Sequence, residues 1–104
     1  MNVEIDYIDA AAIITINRPK KLNALNFETL TDLEAAIDTV NENKAVRGVI
    51  ITGKGDKAFV AGADITEIAN LNDDLGFEVA NNGQKIFLKI EQSPKLYIAA
   101  VNGY

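Results

Sequence analysis

The sequence predicts an α/β domain, and three observations carry that prediction. Val3, Ile5 and Tyr7 alternate with Glu4 and Asp6, the period of two shown by a strand with one buried face. Leu30, Leu33, Ile37 and Val40 recur at steps of three and four, while Glu28, Asp32, Glu34 and Asp38 fall elsewhere, which is the pattern of an amphipathic helix. Val49-Ile50-Ile51 is an uninterrupted apolar run of the kind parallel strands show when both faces are covered.

The remaining elements follow in order. Ala11 to Ile16, small and β-branched, makes a second strand that stops at Asn17-Arg18-Pro19, where proline and its predecessor end regular pairing. Asp9-Ala10 between the first two strands is then a hairpin turn. Asn26 is placed to cap the first helix. The third strand closes at Thr52-Gly53, and a loop runs from Lys54 to Ala63. Asp64 caps a short helix, with Glu67 three residues on and Ile65, Ile68 and Leu71 along one side. Asn72-Asp73-Asp74 interrupts it, and a longer helix with Leu75, Val79, Ile86, Phe87 and Ile90 as buried positions runs to Ser93-Pro94. Leu96 to Val101 is another buried strand. A core strand followed at once by Asn102-Gly103-Tyr104 reads as part of a domain rather than all of one.

Composition narrows the chemistry. The chain has 104 residues, 48% hydrophobic and 24% charged, which suits a single globular unit with one modest core. Fifteen acidic against ten basic residues leave a net charge of −5, which repels phosphate backbones and argues against nucleic acid as a partner. Without cysteine there is no disulfide framework and no thiolate metal site. Without histidine there is no Ser-His-Asp triad, Cys-His pair or His-ligated zinc. The first residues lack the basic and apolar regions of a signal peptide, and the apolar runs are too short to span a bilayer, so the expectation is a cytoplasmic protein with no membrane partner.

Two loops carry candidate chemistry. Ala58-Phe59-Val60-Ala61-Gly62-Ala63-Asp64 follows a buried strand and opens a helix, where α/β proteins place ligands. Its small residues leave the amides of Gly62 and Ala63 open to close approach at a helix start, whose partial positive charge suits a developing oxyanion. The plainer reading, and the commoner one, is that Gly62 and the alanines let strand and helix pack closely. Arg18-Pro19-Lys20-Lys21 sets three cations on a loop of an acidic chain, suited to phosphate, although a solvated basic loop has the same composition. Gly53-Lys54-Gly55 lacks the Gly-Lys-Ser/Thr ending of a phosphate loop and reads as a turn. Asp73-Asp74 reads as a helix-start match to the dipole rather than a metal pair.

Three motifs together resemble the enoyl-CoA hydratase (crotonase) family: Ile14-Thr15-Ile16-Asn17-Arg18-Pro19 with Asn23-Ala24-Leu25, then Ala58 to Ile65, then Ile98-Ala99-Ala100-Val101-Asn102-Gly103-Tyr104. They occur in the family's order across nearly the whole chain, and they favour the functional reading of the 58–64 loop. The resemblance implies a crotonase-like spiral of ββα units, with residues 1–104 a single N-terminal segment that stops before the family's glycine-rich turn and catalytic glutamates. It implies that the Ala63 N–H is one of two donors to a thioester oxygen. It implies further that Ala61, Gly62, Ala63, Asp64, Ile65 and Thr66 line the acyl-CoA, and that Lys20, Lys21 and Ala24 border its adenine and phosphates. Coenzyme A is then part of the substrate, and no separate cofactor or metal is called for.

The implied reaction is hydration of a trans-2-enoyl-CoA within fatty-acid β-oxidation, by a homo-oligomer that is a trimer or hexamer in the family at full length. Isomerases, dehalogenases, decarboxylases and thioester hydrolases of the family share these motifs. Glu67 fits a helix cap and Glu91 a solvated helix end, so neither stands in for the family's acid and base. A non-catalytic acyl-CoA-binding or assembly segment is the competing reading, and a small nucleotide-binding α/β domain is a weaker third.

Overall fold

The computed structural model describes residues 2–62 and 73–103. Val3–Ile8 (β1) and Ala11–Ile16 (β2) form the expected hairpin, antiparallel from Val3 opposite Ile16 to Ile8 opposite Ala11. At the turn Asp9 takes a φ of 51°, a left-handed conformation that a short polar side chain tolerates. Gly48–Gly53 (β3) adds parallel to β2, and Leu96–Ala99 (β4) adds parallel to β3, giving the order β1-β2-β3-β4. Parallel neighbours need a crossover, and helices supply it: Phe27–Glu42 (α1) between β2 and β3, and Asp73–Glu91 (α2) between β3 and β4.

The pleat sets Val3 and Ile5, Ala12, Ile14 and Ile16, and Val49 and Ile51 on one face of the sheet. Leu33, Ala36, Ile37 and Val40 of α1 cover that face, and Ile86 of α2 joins them, with Ile90 packed at the margin. As expected, Asn26 caps α1: its Oδ1 accepts from Thr29 N at 2.8 Å and from the Thr29 hydroxyl. At the other end of α1, Lys95 Nζ donates to the carbonyls of Asn43 and Val46, which ties the start of β4 to the helix terminus. Lys89 Nζ bridges α2 to α1, 3.1 Å from Glu34 Oε2 and 3.2 Å from Asp38 Oδ1.

Four expectations about burial need correction. β3 is covered on one face only among the described residues, because the other face carries Ile13, Ile50 and Ile98 in direct register and Ile98 is 52% exposed. Leu96 to Val101 is not a buried strand: among the described residues β4 pairs with β3 on one side only, and Leu96 and Val101 are two-thirds exposed. Phe87 is half exposed, because α2 meets α1 through Ile86 and the next residue points about 100° away around the helix. Tyr7 is also half exposed, near the hairpin end. The short helix expected from Asp64 lies outside the described residues, as do the side chains of Leu75 and Val79. Among the described residues no helix is long and apolar enough to cross a membrane.

Candidate functional site

The site is built on the turn after β2. Pro19 opens a single 3-10 turn, Pro19–Lys21, and the next two residues, Leu22 and Asn23, both take left-handed φ values of 52° and 56°. This reversal leaves Lys20 and Lys21 exposed and carries the Asn23 side chain inward, where it is fully buried. Its carboxamide is used at both ends: Oδ1 accepts from Arg18 N at 2.8 Å, and Nδ2 donates to Lys54 O at 3.1 Å and Ala58 O at 2.9 Å. Burial without those partners would leave unpaired polar atoms. Arg18 adds a guanidinium bond to the carbonyl of Ala24.

The loop that Asn23 grips leaves β3 at Gly53. Glycine is required there by close approach, since a Cβ would stand 2.3 Å from Phe59 O and 2.5 Å from Ala58 O. From the far side Asn102 holds the same loop: Nδ2 donates to Gly53 O and Gly55 O, both at 2.8 Å, while Oδ1 accepts from Gly53 N at 3.2 Å. Beyond it, Gly103 packs so tightly that a Cβ would lie 2.3 Å from Lys57 O.

Two backbone bonds join this loop's continuation to the turn after β2. Ala61 N donates to Leu22 O at 3.1 Å, and Leu25 N donates to Gly62 O at 2.7 Å, bracketing Ala24. Of the residues singled out from sequence, Ala24, Ala61 and Gly62 are therefore adjacent. Lys20 lines a hollow of about 320 Å³ with Lys54, Lys57, Asp56 and the inner edge at Asn23. Three lysines against Asp56 line it, and Glu4 Oε1 stands 4.0 Å from Lys54 Nζ, so the mouth keeps a positive balance on a chain whose net charge is −5. Lys21 lines a neighbouring hollow of about 290 Å³ that Lys20 and Arg18 share. An apolar hollow of about 410 Å³ lies on the inner side of the loop, lined by Phe59 and Val60 with Leu25, Ile51, Phe87 and Tyr97.

Ala63, Asp64, Ile65 and Thr66 lie outside the described residues, and Glu67 with them. Glu91 is exposed at the end of α2, in keeping with a solvated helix end. Sequence reasoning missed Lys54 and Lys57, having read Gly53-Lys54-Gly55 only as a turn. The available signal was the spacing that sets two lysines on the approach to Ala61-Gly62. Asn23 and Asn102 stand in the sequence only as motif letters, and nothing local marks them as the two side chains that fix the loop.

The sheet order, the helical crossovers and a small-residue backbone loop beside a basic hollow define a crotonase-like fold. Superposition on the crystal structure of enoyl-CoA hydratase from Bacillus anthracis gives a TM-score of 0.95 at 35% identity, covering 99% of this chain and 40% of that one. The enoyl-CoA hydratase from Thermoplasma volcanium gives 0.95 at 36%, covering 100% and 41%. The chain belongs to the enoyl-CoA hydratase/isomerase family, whose model matches residues 8–104. It is 47% identical over 103 residues to a crotonyl-CoA hydratase of Syntrophomonas wolfei and 44% identical to a short-chain-enoyl-CoA hydratase of Clostridium acetobutylicum. In both cases 99% of this chain is covered, and it spans about 40% of the relative's length.

Proposed function

We propose that these 104 residues supply the coenzyme A loop and one oxyanion donor of an enoyl-CoA hydratase-type enzyme, which adds water syn across the double bond of a trans-2-enoyl-CoA. The observation that carries the reading is the pair of bonds from Ala61 N to Leu22 O and from Leu25 N to Gly62 O, which set the phosphate-facing turn against the loop that leads to Ala63. Lys20, Lys54 and Lys57 face the negative phosphates, with Lys21 at the rim. The Ala63 N–H donates to the thioester oxygen as negative charge develops there in the enolate, where a preorganised donor is worth more than in water. Ile65 and Thr66 line the acyl-CoA beyond it. On this reading the acid and base of hydration are not among these residues, and the chain alone shows no turnover. The working protein is a cytoplasmic homo-oligomer of fatty-acid β-oxidation that needs no cofactor besides its substrate.

Titration of the chain with crotonyl-CoA tests this. Saturable binding that weakens as salt rises, and that weakens further in a K20A/K57A double variant, is the expected result. Absence of saturable binding, or binding that salt and these lysines leave unchanged, would overturn it.

A further inference from the structure

The loop from Gly53 to Phe59 is held in an unusual way. The carbonyls of Gly53, Lys54, Gly55 and Ala58 are all taken by two side chains, Asn23 from one side and Asn102 from the other. Each carboxamide oxygen also accepts a backbone N–H, that of Arg18 outside the loop for Asn23 and that of Gly53 within it for Asn102. Asn23 lies 31 and 35 residues before its two carbonyl partners, and Asn102 lies 49 and 47 residues after its own. The same loop carries Lys54 and Lys57, and at its end Ala61 and Gly62 are strapped to Leu22 and Leu25.

We infer that Asn23 and Asn102 are positioning residues that lock the lysine-bearing loop to the Ala61-Gly62 segment, so that the phosphate-facing charges and the oxyanion loop move as one body. As regards coenzyme A this deepens the function proposed above and rests on it; as regards the coupling it rests on the hydrogen bonds alone. A carboxamide is the one small side chain that donates twice and accepts at the same place. A carboxylate of the same shape loses both donors and turns negative charge toward two carbonyl oxygens. Asn23 is fully buried and Asn102 partly so, which makes Asn102 the gentler site for the exchange.

The test is hydrogen exchange, read by mass spectrometry, on the chain with N102D and with N23D. The peptides that decide it span residues 20–25 and 59–62, compared with core peptides spanning 12–16 and 46–51. The expected result is a loss of protection of about tenfold or more in the first pair, with the core pair little changed. A second readout separates positioning from general loosening: the introduced carboxyl regains a donor when protonated, and facing carbonyls raise its pKa. Protection corrected for intrinsic rates should therefore recover between about pH 7 and about pH 5. Should N23D fail to fold, N102D decides the question. Equal loss in all four peptides, no loss in the first pair, or uniformly low protection in the unmutated chain would overturn the inference. Titration of the same samples with coenzyme A keeps the two readings apart. If the unmutated chain does not bind it, the proposed function falls, while the exchange pattern still decides the coupling.

Discussion

Gly53→Ala presses directly on the loop that the site depends on. The added Cβ would stand 2.3 Å from Phe59 O, 2.5 Å from Ala58 O and 2.7 Å from Asn23 Nδ2. Two of those atoms are backbone and the third belongs to a buried amide, so no side-chain rotation relieves the clash. Moving the Ala58-Phe59 backbone costs about 1 to 3 kcal/mol as overpacking. Drawing Ala58 O off Asn23 Nδ2 strands a buried donor for roughly another 1 to 3 kcal/mol. Gly83→Ala is the matched control: Gly83 lies inside α2 with no atom of the described residues within 4 Å of its Cβ position, so the change should stabilise by about 0.5 to 1 kcal/mol. Urea unfolding followed by far-ultraviolet circular dichroism reads both. With a slope of about 1 kcal/mol per molar, the G53A midpoint falls by about 2 M or more and the G83A midpoint rises by about 0.5 to 1 M, with slopes unchanged. Placing G53A on the G83A background keeps the transition within range. A G53A midpoint within about 0.5 M of the unmutated chain would refute the close-approach argument.

Other expected outcomes concern charge, pH and association. Lys57→Ala and Lys20→Ala should each weaken coenzyme A binding by about two- to fivefold at low salt, while Lys44→Ala in the exposed turn after α1 leaves it alone; calorimetric titration at two salt concentrations checks this. Glu34 first, and then Asp38, hold the Lys89 ammonium above its ordinary 10.5, and burial chiefly lifts the Tyr97 hydroxyl above its ordinary 10.0. Both folded pKa values are raised, so the stability they contribute is whole below about pH 10 and is lost as pH climbs through them; urea midpoints that hold steady or rise from about pH 9 to about pH 11 would contradict this. The isolated chain should self-associate through the Ile13-Ile50-Ile98 row, which no described helix covers, and the edge of β4, and Ile98→Lys should reduce that. Sedimentation velocity checks it, and a monomer at all concentrations would argue otherwise.

What could be read from the sequence was local. The strand at Val3 to Tyr7, the turn at Asp9-Ala10, the Asn26 cap and the i, i+3, i+4 rhythm of α1 are each fixed by neighbours within a few residues, and all four stand in the structure, although the buried face of the strand fades before Tyr7. Burial at Phe87, Ile98 and Val101 depends on what lies across the sheet, and periodicity carries no record of that. The site divided in the same way. Ala24, Ala61 and Gly62 can be singled out from motifs that resemble those of a known family, and the structure sets them side by side. Lys54 and Lys57 cannot be singled out that way, because they join Lys20 only when Asn23 and Asn102 fold distant segments onto one loop. A carboxamide that organises carbonyls leaves no pattern in a sequence, only an asparagine.

The central claim is that the Ala63 N–H polarises a thioester carbonyl, and infrared spectroscopy of bound carbon-13-labelled crotonyl-CoA measures that polarisation directly. Bound to the unmutated chain, the labelled carbonyl should stretch at a lower frequency than in free solution. In A63P, where proline removes the N–H, the frequency should return toward the free value while most of the affinity, which comes from the coenzyme A portion, is kept. An unshifted band for the ligand bound to the unmutated chain, or the same downshift in A63P, would contradict the assignment and leave close packing as the reason for the small residues in the loop.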